Sequence, residues 1–468
     1  MRLQLSFILL LQAGLVLLLT GSCRAQHPVA DRHSTTYFID SQQGNDASGG
    51  TSESTAWKSL GNIKQGVLLP GDSIRFKRGS AFTGPLYIYD AGEQDHPIVL
   101  TDYGSPSLPA PSFTNPVFAL GNYGNCIRVK GSFVIVENLY FHHTSAYVRG
   151  SYTPSSGWDV TVWEMGAIYI DKEAQHCIVR NNEIEDCVVG IKSYGKYAQI
   201  RNNYIHDCNR VLKEWGWGPL GIWLGGDDQE ACYNRVFNYS ATDPRINWGP
   251  DGVGGGVDGG AFEIDDARYP KYNISIHHNY TRDCQGFLEV TWTDIGQNPT
   301  YKGFSIHHNV SDDYQQFIAM WRGAQCVIEN NTIIRRKKNV NDWGVFNITQ
   351  DNSQNRIRNN IIVVEKDIPI FNTGLQAPRT PRNIIENNLY YAASGSLVTG
   401  NEGPGITPVY GNPLFVNYAG ATRAEDFGIR SGSPAANSGL TTGYVIDFIG
   451  TAIPKGNAPD IGAFELVE

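Results

Sequence analysis

A chain of 468 residues with 41% hydrophobic and 18% charged content has room for two or three ordinary domains, or for one solenoid that gains core coil by coil. Its net charge of −9 and pI near 5.7 exclude a surface built to hold nucleic acid. The one basic tract, Arg335-Arg336-Lys337-Lys338, reads as a solvated turn.

Residues 1–25 read as a signal peptide: Arg2, an apolar run from Phe7 to Leu19, then the small residues leading to Cys23-Arg24-Ala25. Cleavage after Ala25 suits an ordinary signal peptidase, whereas Gly21-Ser22-Cys23 resembles a lipobox that would tether the mature protein by a lipid at Cys23. Both readings place the protein outside the cytoplasm, in the periplasm, on the cell surface or secreted. No later apolar run is long enough to span a membrane.

Residues 36–110 read as an N-terminal cap and first coils. Tyr37-Phe38-Ile39-Asp40 is a strand, and Gly44-Asn45-Asp46 with Gly49-Gly50-Thr51 a loop. The stretch from Ala56-Trp57-Lys58 to Ile63 is a short amphipathic helix, and Pro70 to Lys77 opens the first coil. A cap is needed because the open end of a stack of strands is an unpaired edge.

Across 111–400 one phrase returns: Val179-Arg180-Asn181-Asn182, Ile200-Arg201-Asn202-Asn203, Ile276-His277-His278-Asn279, Ile306-His307-His308-Asn309, Ile328-Glu329-Asn330-Asn331, Ile357-Arg358-Asn359-Asn360 and Ile385-Glu386-Asn387-Asn388. The spacing is roughly 20 to 30 residues with one longer gap, the period of a solenoid. A side-chain amide repeated at stacked turns accepts from one coil and donates to the next, satisfying buried turn backbone. The flanking runs of four to six residues alternate apolar and polar and are rich in Ile, Val, Phe and Tyr, which is strand periodicity. The predicted fold is all-β, a parallel β-helix, with residues 401–468 as C-terminal coils and cap.

Eight cysteines invite a disulfide reading. Cys187, Cys208 and Cys284, however, each follow an aspartate five residues after a ladder asparagine, so they read as small apolar groups stacked in the core, with disulfides not required.

Gly44-Asn45-Asp46, Trp57-Lys58-Ser59-Leu60, Pro70-Gly71-Asp72-Ser73-Ile74, the asparagine ladder, and a tail with Ser431-Gly432-Ser433-Pro434-Ala435-Ala436 and Asp460-Ile461-Gly462-Ala463-Phe464-Glu465 together resemble exported bacterial proteins of the pectate-lyase-like superfamily of right-handed parallel β-helices. The resemblance covers nearly all of the mature chain and implies a carbohydrate-active protein. It does not choose a reaction, because that superfamily holds lyases, glycoside hydrolases, epimerases, esterases and adhesins.

The resemblance also implies that the longer strand after each asparagine forms the substrate face. Aligning these strands sets Tyr169, Lys192, Trp223, Glu263, Glu289, Ala319 and Asn347 in one outward column and Asp171, Tyr194, Gly225, Asp265, Thr291, Trp321 and Thr349 in another. Neighbouring coils lie about 4.8 Å apart and alternate residues about 7 Å apart. Glu263, Asp265 and Glu289 therefore converge at separations suited to a glycosidase's acid and base, and their mutual repulsion is expected to raise at least one pKa.

Lys192, Trp223, Trp321, Arg322 and Asp258 are the expected substrate contacts. Insertions around Asp227-Asp228 and Gly252 to Gly260 read as walls of a cleft, where Trp215, Trp217, Trp248 and Trp292 offer faces for a sugar ring. Asp227, Asp228, Asp251 and Asp258 offer oxygens to Ca2+, without a recognisable calcium-loop spacing; no metal is required. The pairs His277-His278 and His307-His308 invite a metal reading, but their position at ladder level favours a structural role. The expected activity is glycoside hydrolysis of a complex polysaccharide or its oligosaccharides. The alternatives are a lyase on a uronic-acid polymer, for which Lys192 and Arg322 are the only obvious cations on the face, and a non-catalytic glycan-binding surface protein.

Overall fold

Each asparagine phrase folds into the same corner. The residue before the ladder asparagine lies in the left-handed region, with φ of 57° at Asn181, 56° at Tyr233, 55° at His278 and 52° at Asn359. Asparagine tolerates that conformation better than most residues, which accounts for the paired Asn-Asn. The second asparagine turns inward. Asn309 donates from Nδ2 to Ile276 O at 2.9 Å and to Asn331 Oδ1 at 3.0 Å, while its own Oδ1 accepts from the backbone N and the Nδ2 of Asn279, both at 3.0 Å.

The same links join Asn182, Asn203, Asn234, Asn279, Asn309, Asn331, Asn360 and Asn388 in one ladder. Asn234 fills the longer gap in the sequence. It escapes the phrase because its coil carries Ala231 and Tyr233 where the others carry a branched residue and a His or Asn.

The computed structural model describes residues 34–466 except 120, 146–163, 209, 211–217, 241–259, 267, 291–299, 322, 337–343, 349–351, 366 and 373–382. The described residues belong to one compact unit, Ser34–Glu468. Its strands form three long sheets of 12, 12 and 11 strands in which successive coils pair in chain order. In one coil, Ile178–Arg180 belongs to the first sheet, Glu183–Glu185 to the second and Val189–Ser193 to the third. All pairing within these sheets is parallel, as in Ile178↔Gln199, Glu183↔Tyr204 and Ile191↔Ile222.

Inside the coils, Ile200, Ala231, Ile276, Ile306, Ile328 and Ile357 stack in a buried column. Cys187, Cys208 and Cys284 are buried and free, like every other cysteine among the described residues. Asp186, Asp207 and Asp283 before them adopt φ of 49°, 58° and 56°, so this second corner is also left-handed.

Two local expectations are corrected. The segment from Ala56 to Ile63 is not an amphipathic helix. It follows one short 3-10 turn, Glu53–Thr55, and holds another, Leu60–Asn62; between them the Trp57 backbone bridges to Ile39 while its ring stacks on Tyr37 at 5.0 Å. Arg335 and Arg336 of the basic tract are not part of a solvated turn, while Lys337 and Lys338 lie outside the described residues. Arg335 is fully buried and donates to Ser311 Oγ at 3.0 Å and Ile334 O at 2.6 Å, and Arg336 reaches Tyr418 O at 2.8 Å and pairs with Asp312. Polar core residues Thr281, Ser311 and Asp313 supply the reason: a coil whose interior already holds a carboxylate draws a guanidinium inward.

The last strands of the stack are Val398–Gly400 and Val409–Tyr410. Beyond them the tail runs back along the outside of the second sheet. Phe415, Phe427, Ile429, Ile461 and Phe464 form a second apolar cluster with Val310, Ile334, Ile361 and Leu389. The ladder corners anchor it, with Asn359 Nδ2 donating to Leu440 O at 2.8 Å. The signal-peptide reading and its Cys23 lie outside the described residues.

Candidate functional site

The third sheet carries the outward column in the register expected from the sequence. Tyr169 pairs with Lys192, Lys192 with Trp223, Trp223 with Glu263, Glu263 with Glu289, Glu289 with Ala319 and Ala319 with Asn347. Upstream the column continues to Arg128 and Tyr87. The polarity along the face therefore runs from cation to anion. The inward neighbours Ile191, Ile222, Phe262, Ile264, Leu288 and Val290 are core, which holds Glu263 and Glu289 on the other side of the sheet.

The face is covered and not open. Glu263 is 1% exposed, Asp265 3%, Glu289 2%, and Lys192 and Trp223 0%. Trp223 is thus not an exposed stacking platform, since Lys192 Nζ lies 3.3 Å from the centroid of its ring system. Trp321 is half-buried, with its N donating to Val290 O at 2.9 Å. Arg322 and Asp258 lie outside the described residues, as do Trp215, Trp217, Trp248, Trp292 and Asp251. Asp227 and Asp228 have structural partners: Asp227 accepts from Tyr272 N at 3.0 Å, and Asp228 accepts from Asn273 Nδ2 at 2.9 Å and pairs with Lys196 at 3.1 Å.

Next to Asp265 the structure adds groups that strand patterning missed. Asp266 is fully buried and has φ of 87°, a strained value for a non-glycine residue. It accepts from Arg268 Nε at 2.8 Å and from Tyr194 Oη at 2.9 Å. Burial pushes its carboxyl up, but the Arg268 guanidinium outweighs that and holds it below the usual range.

Lys271 Nζ donates to Asp266 O at 2.9 Å and Tyr269 O at 2.8 Å. Burial pushes Lys271 down to about 8 and Lys192 to about 7, with Asp266 and Asp265 pulling both back up. A side chain at Gly225 would meet the Tyr194 ring at 2.5 Å, so glycine there is what lets Tyr194 reach Asp266. The Asp265-Asp266 doublet at the end of a strand was the available sequence signal. At the cationic end, Arg128 pairs with Asp171 and, at 2.6 Å, with Glu164, while Lys130 reaches Asp171 at 2.8 Å.

Two solved structures share this architecture over almost the whole chain. Pectate lyase Pel9A matches at 15% identity and a TM-score of 0.54, covering 93% of this chain and 97% of that one. The fold is the right-handed parallel β-helix. XylC in complex with xylose matches at 11% identity and a TM-score of 0.53, covering 93% and 99%. No protein-family model matches the chain.

A curated relative, lacto-N-biosidase of Bifidobacterium longum subsp. longum, is 45% identical over 74 residues, which is 15% of this chain. That stretch spans only 5% of the relative's length. Among the described residues no helix is long and apolar enough to cross a membrane.

Proposed function

We propose that the chain is a glycoside hydrolase acting on a complex polysaccharide or its oligosaccharides, with Glu263, Asp265 and Glu289 as acid and base. One observation carries this reading: Glu263 and Glu289 are direct cross-strand partners on the outer side of the third sheet, buried together with Asp265. Paired carboxylates on one face are the groups a glycosidase uses as acid and base. The short stretch similar to lacto-N-biosidase, by name a glycosidase, supports the same class.

In this reading the acid protonates the leaving oxygen, and a second carboxylate either activates water or attacks the sugar. The choice follows the carboxyl separation, about 5 Å for retention and about 6.5 Å or more for inversion. Lys192 orients substrate and balances charge at the anionic end. No cofactor is needed, with Ca2+ an optional ligand. The N-terminal segment supports export, through ordinary cleavage or a lipid anchor at Cys23.

Lys192 favours one second reading, a polysaccharide lyase. Its amine is pushed to about 7, so it exists in part as a neutral base that is able to take a proton from a uronic-acid substrate. Incubating the protein with a panel of glycans while following reducing ends and ultraviolet absorbance separates the readings. Hydrolysis yields new reducing ends without absorbance, elimination yields both, and a binding protein yields neither. The hydrolase proposal fails if absorbance grows in step with cleavage.

A further inference from the structure

The outer face of the first sheet carries a second group of chemistry-bearing residues, on a different sheet from the carboxylate column. Glu230 and Cys232 are alternate residues of the strand Glu230–Cys232, with Ala231 between them pointing into the core. His277 is the cross-strand partner of Cys232 on the following coil. The carboxylate oxygen, thiol sulfur and imidazole nitrogen all lie within 4.8 Å of one another, and His277 Nε2 is 2.9 Å from Glu230 Oε1.

The hydrogen bonds behind His277 aim its free nitrogen at the other two donors. Asp447 O is a carbonyl and only accepts, so His278 Nε2, 3.1 Å away, must carry a proton. His278 Nδ1 lies 2.8 Å from His277 Nδ1 and holds that edge of the ring. The opposite edge, His277 Nε2, therefore faces the Glu230 carboxylate.

We infer that Glu230, Cys232 and His277 form a binding site for a divalent transition-metal ion of the zinc type. Thiolate, imidazole and carboxylate are the ligand set that Zn2+ prefers, with metal–ligand lengths of about 2.0 to 2.3 Å. His278 and the Asp447 carbonyl act as the outer partners that fix the ligating tautomer.

Glu230 has 38% and His277 14% of its side chain exposed, so the ion enters from solvent and a water takes the fourth position. Loading releases the Cys232 thiol proton and any proton on His277 Nε2 to solvent. Carboxylate and thiolate cancel the ion's charge; Arg201 is the other cross-strand partner of Cys232.

The test uses the intact protein, stripped with a chelator and titrated with Co2+. The expected result is a thiolate-to-cobalt charge-transfer band that saturates at one Co2+ per chain and is displaced by Zn2+. Cys232→Ala abolishes the band. Glu230→Gln, at a partly exposed position that leaves the core intact, weakens Co2+ binding at least about tenfold and removes the rise in melting temperature that Zn2+ gives the parent. The inference is overturned if the stripped parent develops no such band, or if the band survives in Cys232→Ala. Neither readout depends on catalytic activity, so the glycosidase proposal stands or falls separately.

Discussion

Lys192 and Trp223 are cross-strand partners, and the lysine amine rests 3.3 Å from the indole centroid with both side chains fully buried. Two effects compete there. Burial pushes the amine down to about 7, while Asp266, Asp265 and the ring's negative face favour the charged form. This pair joins the cationic end of the column to Glu263, the next residue along it.

A pH prediction follows from that amine. The unfolded lysine keeps its proton to about 10.5 and the folded one releases it near 7, so the unfolded chain binds more protons between those values. Stability from this residue therefore rises with pH across that window and is flat below it. Lys192→Met is expected to be more stable than the parent by on the order of a few kcal/mol at pH 7, with the advantage shrinking toward pH 10. Urea melts of both proteins from pH 6 to 10 measure this, and a constant difference would show that the buried amine is not neutral.

For the carboxylates, Glu263→Gln, Asp265→Asn and Glu289→Gln are each expected to lower kcat at least about a hundredfold on a cleaved glycan, with KM little changed. Near-normal rates in all three variants move the chemistry off this column. Lys192→Ala is expected to raise KM more than it lowers kcat in a hydrolase; loss of all turnover, with absorbing products in the parent, selects the lyase.

The asparagine ladder gives a stability prediction. Asn309→Ala strips partners from Asn279 N, Asn279 Nδ2 and Ile276 O inside the coil. At about 1 to 3 kcal/mol for each buried group left unpaired, the expected cost is at least about 3 kcal/mol, read from the denaturant midpoint. An unshifted midpoint means that water replaces the amide.

The buried polar core gives another. Asp313 accepts from Ser311 Oγ at 2.6 Å and from Cys284 N at 3.0 Å; burial raises its pKa even though Arg335 opposes the shift. Arg335→Met leaves this carboxylate and several carbonyls without their cation, at an expected cost of about 3 to 5 kcal/mol. The double variant Arg335→Met with Asp313→Asn is expected to recover part of that loss. Strict additivity of the two single changes would show that the pair is uncoupled.

Much of the architecture was legible in the chain because its determinants are local and periodic. A left-handed corner needs Asn, Asp or a tolerant substitute, and side chains alternate across a strand. Asn182 through Asn388 therefore marked the coils, and the order Lys192, Trp223, Glu263, Glu289 followed from counting along each strand. Asn234 was missed where its phrase was diluted, although its hydrogen bonds match those of its neighbours.

What only the tertiary structure decided was environment. Burial of Lys192 against Trp223, the turn of Arg335 into the core, the Tyr194–Asp266 hydrogen bond and the meeting of His277 with Glu230 and Cys232 all depend on what the next coil or the returning tail brings alongside. Alternation along a strand says which side of the sheet a residue takes. Whether that side meets solvent, a charge or another coil depends on segments far away in sequence, and desolvation by those segments is what sets the protonation and pairing of the groups they cover.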